Sequence, residues 1–309
     1  MVTLVSPATI QRRLSELTRR LESTGSPSES ALTPLSLAAF LSEEFLPAVL
    51  AVEGGELAPA PHLNGWAGLI ERHRFVALVS FRGSLKSTLC KSVIAHALRS
   101  HMRGAFDCVY FSATWGLAAW HTRRLKDYLA DLAERWGWSD RTTGESVLRY
   151  EKPGASFVCE PAGLDQGARG KRADLLILDD VSDPKKMASM ADIDRALASL
   201  QRRLIPTLKS KTSRIVVAAT PIIENDIVGW IEKNPEFVTV RLPAILVNGE
   251  AAWPEKFPLA ELERIKRLIG SKAFQAEFLL QAGGLLDSFI PYDVLSRAIA
   301  QIQVQEVRL

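Results

Sequence analysis

Residues that build disulfide frameworks and metal centres are scarce in this sequence. Its three cysteines, Cys90, Cys108 and Cys159, stand singly inside apolar stretches with no CxxC spacing. That argues against a disulfide scaffold or zinc site and marks them as small core residues. The five histidines, His62, His73, His96, His101 and His121, lack the i, i+4 spacing of a helical metal pair, so histidine ligation of a metal is not expected. Long apolar runs are missing too. Stretches such as Phe75 to Val79 and Leu175 to Leu178 fall far short of the roughly 20 residues that cross a bilayer, and the N-terminus has no apolar signal core. A cytoplasmic protein without a membrane partner is expected. No internal repeat is found.

What is present is ordinary for a globular chain: 309 residues, 47% hydrophobic and 24% charged, enough for one large domain plus an appendage. The net charge of +3 excludes little. Its distribution says more, because Arg202 to Arg214 holds Arg202, Arg203, Lys209, Lys211 and Arg214 and no acid. Such a segment suits a phosphate backbone and equally suits a solvated helix end.

Ile10, Leu14, Leu17 and Leu21 recur at helical spacing, predicting an amphipathic helix over residues 7–22. A Ser/Thr/Gly/Pro-rich connection, Ser23 to Pro34, leads to a second helical pattern from Leu35 to Leu50. Residues 1–60 read as an N-terminal helical appendage. From Arg74 onward, short β-branched or aromatic runs alternate with longer helical segments. Strands are predicted at Phe75–Val79, Cys108–Phe111, Ser156–Cys159, Leu175–Leu178, Ile215–Ala219 and Phe237–Val240. Helices are predicted near Thr88–Met102, Leu117–Trp136, Ile193–Leu204 and Asp226–Lys233. This alternation implies an α/β fold with a mainly parallel sheet over residues 61–242. Residues 243–309, with helical pieces at Leu259–Leu268 and Lys272–Gln281, read as a small lid or linker segment.

Two motifs carry chemistry. The first strand runs into Ser80-Phe81-Arg82-Gly83-Ser84-Leu85-Lys86-Ser87-Thr88 and then a helix, the setting of a phosphate-binding loop. There the backbone from Gly83 through Thr88 would cradle phosphates, Lys86 would neutralise them and the Ser87 hydroxyl would hold magnesium. Against G-x-x-x-x-G-K-[ST], Ser80 and Leu85 stand where glycines are usual. The second motif is Ala173-Asp174-Leu175-Leu176-Ile177-Leu178-Asp179-Asp180, an apolar strand ending in paired carboxylates. Asp179 would hold the magnesium and Asp180 would orient the attacking water. The two motifs in this order predict a P-loop nucleoside triphosphatase of the additional-strand type with ATP and Mg2+ as cofactors.

Thr220, at the end of the Ile215–Ala219 strand, is a γ-phosphate sensor candidate or a cap of the turn before Pro221. Arg169, between Gly167 and Gly170, and Arg82, inside the loop, are rival arginines for the transferred phosphoryl charge. Trp120, Trp136 and Trp138 read as packing residues, and Trp115 as core.

Together, Arg82-Gly83-Ser84-Leu85-Lys86-Ser87-Thr88, Arg169-Gly170, Asp179-Asp180 and Ala219-Thr220-Pro221 resemble the large terminase subunit of tailed phages over about residues 60 to 285. Gly270 to Phe278 looks like that family's segment after the motor domain. The resemblance implies phosphate contacts for Arg82 and Lys86, a catalytic role for Asp180 and a coupling role for Thr220. It also implies double-stranded DNA, a portal protein and a small terminase subunit as partners, and a homo-oligomeric ring, a pentamer in that family. The setting would be the cytoplasm of an infected bacterial host and, transiently, the procapsid portal. After Gly283 only Asp287, Asp293 and Glu306 are acidic, so the family's nuclease is expected in a separate domain or subunit. Two other readings fit the motifs: a helicase-like or transposition-associated ATPase, and a nucleotide-binding adaptor that does not hydrolyse ATP.

Overall fold

The alternation of apolar runs and helical segments resolves into one eight-stranded sheet flanked by helices. The computed structural model describes residues 33–164, 171–182, 189–221 and 226–281. The compact unit that carries the sheet begins at Leu35. Its strands are β1 (Phe75–Ser80), β2 (Gly104–Ser112), β3 (Ser139–Asp140), β4 (Leu148–Lys152), β5 (Ala155–Gly163), β6 (Leu175–Asp179), β7 (Arg214–Ala219) and β8 (Val238–Leu242). They lie in the order β3-β4-β5-β2-β6-β7-β1-β8. From β5 to β8 every neighbouring pair is parallel. β7 thus lies between β1, which feeds the phosphate loop, and β6, which carries the acids, the placement an additional-strand P-loop triphosphatase requires.

The central strands are apolar along nearly their whole length because helices bury both faces. β6 is buried from end to end, and β1 and β7 are buried after their first residue. The helices are α1 (Leu37–Phe40) and α2 (Leu46–Glu53), joined by a π-helical turn, then α3 (Pro61–Arg72), α4 (Lys86–Ser100) and α5 (Trp115–Arg135). They continue with α6 (Met190–Ser199), α7 (Ile227–Lys233), α8 (Leu259–Ile269) and α9 (Ser271–Glu277). α4 packs on β6 and β7, and α5 on β2 and β5. Among the described residues no helix is long and apolar enough to cross a membrane.

Four departures from the sequence reading have physical causes. Residues 35–53 belong to the sheet-bearing unit rather than to an appendage, because Phe40 and Phe45 are fully buried and Glu44 pairs with Arg99 of α4 at 3.0 Å. The helix predicted over residues 7–22 lies outside the described residues. The antiparallel additions β3 and β4 were not expected: Leu148-Arg-Tyr-Glu-Lys buries only alternate side chains, so it gives no continuous apolar run. Helix α3 was also not expected, since two glycines and an asparagine dilute its pattern. Residues 243–281 join the common core through Trp253, Leu262, Phe274 and Phe278 rather than standing apart as a lid. The three cysteines are buried, as expected of core residues.

Candidate nucleotide site

At the C-terminal edge of β1 the chain leaves the sheet at Ser80, turns through residues 81–85 and enters α4 at Lys86. The turn needs positive φ at Gly83 (85°) and at Leu85 (68°). Gly83 is required on two counts, because a Cβ there would also sit 3.0 Å from the Phe257 ring. Leu85 takes the left-handed conformation without being glycine, at a cost of about 1–2 kcal/mol. The loop carbonyls face donors outside it: Lys256 Nζ donates to Gly83 O at 3.2 Å and His62 Nε2 to Ser84 O at 3.0 Å. In a trans peptide the following N–H points the opposite way, so the Leu85 amide faces away from His62. His62 is the Nε2–H tautomer, and burial holds its pKa below the ordinary histidine range.

The acidic strand meets this loop. Asp179, the last residue of β6, is fully buried, and Ser87 Oγ donates to its Oδ1 at 2.9 Å. Lys86, buried apart from a small fraction of its side chain, places Nζ 4.0 Å from Asp180 Oδ1. Asp180 is itself pinned: its N–H donates to Ala218 O at 2.9 Å, its carbonyl accepts from Ala113 N at 3.2 Å, and its φ is +46°. Non-glycine residues in that region cluster at functional sites. Desolvation in the cleft pushes the Asp180 carboxyl above its usual range, Lys86 opposes this, and the Asp179 charge adds to it.

The residues fit a magnesium ion. Ser87 Oγ and Asp179 offer hard oxygens side by side, and magnesium prefers few protein ligands beside substrate phosphates and water. Among the described residues no cluster of three or more His, Cys, Asp or Glu forms a cage for a metal held by protein alone. Among the described residues the buried hydroxyls of Thr239, on β8, and of Ser84, Ser112 and Ser182 have no partner; the last three lie in the phosphate loop, at the end of β2 and just past β6. They fit a polar ligand along this edge.

The other predicted residues are placed less closely. Thr220 Oγ1 donates to Ser80 O at 3.0 Å, so the hydroxyl ties the end of β7 to the root of the phosphate loop rather than capping its own turn. Arg82 is exposed, 3.9 Å from Glu277, and its N–H donates to Glu277 O at 3.0 Å. Thr88 is half-buried in the first turn of α4. Arg169 lies outside the described residues. Trp120, expected as packing, is 50% exposed and Trp115 is 37% exposed, whereas Trp136 and Trp138 are buried.

Three residues escaped the sequence reading. Tyr110 of β2 donates its hydroxyl to Asp179 Oδ2 at 2.5 Å, and His121 of α5 places Nε2 3.5 Å from the same oxygen. Burial lowers the His121 pKa to about 3, so the ring is neutral. Lys91, one turn beyond Ser87 on α4, is buried, with Nζ donating to Ser87 O at 3.4 Å and its pKa lowered by burial. Tyr110 had a faint signal, a polar tip inside an apolar strand. His121 had none, since a lone histidine on a helix names no partner.

No family model matches the chain, and no curated protein matches it in sequence. The fold has clear counterparts among solved structures. It superposes on the ATPase domain of the Thermus phage P74-26 large terminase with a TM-score of 0.53 at 15% identity, covering 77% of this chain and 97% of that domain. The chain has a phage terminase ATPase fold. The large terminase of bacteriophage HK97 matches with a TM-score of 0.54 at 12% identity, covering 80% of this chain and 55% of that protein.

Proposed function

We propose that the chain is the ATP-hydrolysing motor of a phage DNA-packaging machine, acting on double-stranded DNA as a large terminase subunit does. The observation that carries this is the joining of two distant motifs at one sheet edge, with Ser87 Oγ 2.9 Å from Asp179 Oδ1 and Lys86 Nζ 4.0 Å from Asp180 Oδ1. A loop that only turns a helix gives no reason for its Lys and Ser to face two carboxylates.

In this reading Lys86 and the loop amides bind the ATP phosphates, and Ser87 with Asp179 holds magnesium. Bound there, the ion neutralises charge on the outer phosphates. Asp180 orients the attacking water, and its desolvated carboxylate is poised to accept a proton. Arg82 or Arg169 supplies positive charge to the transferred phosphoryl group. Thr220, bonded to the root of the loop, relays the change in phosphate occupancy to β7. A ring of identical subunits, a pentamer as in the terminase family, would dock on a portal protein and receive DNA from a small terminase subunit. The place of action is the infected bacterial cytoplasm and the procapsid portal.

Steady-state ATP hydrolysis with and without duplex DNA tests this. Magnesium-dependent turnover is expected in the wild type, with a loss of about 100-fold or more in Lys86→Ala and in Asp180→Asn. ATP binding without turnover in any condition would favour the non-hydrolysing adaptor, and no ATP binding would sink the reading.

A further inference from the structure

Asp179 is held by more than the phosphate loop. The parallel register sets Tyr110 of β2 beside Ile177 of β6, so Tyr110 and Asp179, one pleat further on, share a sheet face. Tyr110 is fully buried, and its hydroxyl donates to Asp179 Oδ2 at 2.5 Å, while Ser87 donates to Oδ1 at 2.9 Å. The phenol ring is fixed in turn by His121, which stacks on it with centroids 5.2 Å apart and an interplanar angle of 25°.

We propose that Tyr110 is a positioning residue for the metal-binding carboxylate: its hydroxyl occupies Asp179 Oδ2 and turns Oδ1, the oxygen shared with Ser87, toward a divalent cation. The proposal rests on the nucleotide-site reading given above and adds a residue to it. A carboxylate with both oxygens free can rotate about its last bond or engage a cation through either oxygen. One with a buried donor on Oδ2 offers a single oxygen in one orientation. Partners of this kind, which hold a metal ligand from behind, typically change metal affinity 10- to 100-fold when removed. Packing alone would be served as well by phenylalanine in this apolar strand, and only the hydroxyl reaches the carboxylate.

The test separates metal affinity from nucleotide affinity. Mn2+ binding is followed by electron paramagnetic resonance with saturating ATPγS, and nucleotide binding by fluorescent-analogue displacement in EDTA. Tyr110→Phe is expected to raise the Mn2+ dissociation constant about 10-fold or more while leaving metal-free nucleotide affinity unchanged. Tyr110→Leu, a second variant without the hydroxyl, is expected to show the same split if the Phe variant does not fold. Unchanged Mn2+ affinity in the Tyr110 variants, or an equal loss of metal-free nucleotide binding, overturns the proposal. A wild type that binds neither nucleotide nor Mn2+ overturns the nucleotide-site reading itself, a distinct outcome.

Discussion

Asp180 holds a backbone conformation that few non-glycine residues adopt. Its backbone is held in the left-handed region by hydrogen bonds to β7 and to the segment after β2, and its carboxyl is pushed above the usual range by desolvation. A carboxyl whose folded pKa exceeds its unfolded one contributes stability that is complete below the unfolded pKa and is lost as pH rises through the folded value. Ionised Asp180 therefore weighs against the fold at neutral pH, by an amount that solvent reduces because the side chain is 46% exposed. Asp180→Asn is expected to raise the melting temperature at neutral pH while abolishing hydrolysis, with the difference closing as pH falls through the carboxylate range. Thermal melts of both proteins across pH measure this, and a variant less stable than wild type at neutral pH would show that the Lys86 ion pair outweighs desolvation.

At the scale of elements, the site depends on two helix starts on the same sheet edge. α4 begins directly after the phosphate loop, so its unpaired N–H groups and dipole favour negative charge there. α5 begins at Trp115 and is capped by Thr114, whose Oγ1 accepts from Leu117 N at 3.1 Å. That cap fixes the helix that brings His121 against Tyr110. Thr114→Ala is expected to cost about 1 kcal/mol of stability, read by chemical denaturation. Because the cap lies outside the phosphate loop, nucleotide affinity should change little. A drop in nucleotide affinity larger than the stability loss would mean that α5 contacts the ligand directly.

For the whole molecule, the basic segment on the sheet's far edge is partly spent inside the fold. Lys209 pairs with Asp107 at 2.6 Å and Asp174 at 2.8 Å, and Arg214 donates to the carbonyls of Ile70, Glu71 and His73. The phosphate-backbone reading of Arg202 to Arg214 narrows to Arg202, Arg203 and Lys211, which remain exposed. Replacing these three by alanine is expected to flatten the slope of log DNA affinity against log salt by roughly 0.9 per lost phosphate contact. An unchanged slope would place the DNA elsewhere on the surface.

By itself the sequence determined what is local and periodic. Apolar runs such as Leu175–Leu178 set the central strands because a strand buried on both faces has no alternative composition, and the loop before α4 declared itself through Gly83, Lys86 and Ser87 in order. Tertiary structure alone decided what depends on neighbours distant in the chain. Only the insertion of β7 between β1 and β6 brings Thr220 to Ser80, and only the β2–β6 register puts Tyr110 on Asp179. The same holds for Leu85, whose left-handed backbone replaces an expected glycine, and for residues 37–53 and 243–281, whose apolar side chains could be assigned to the core only once the surface they cover existed. Periodicity records which face of an element is apolar, but not which other element will meet it.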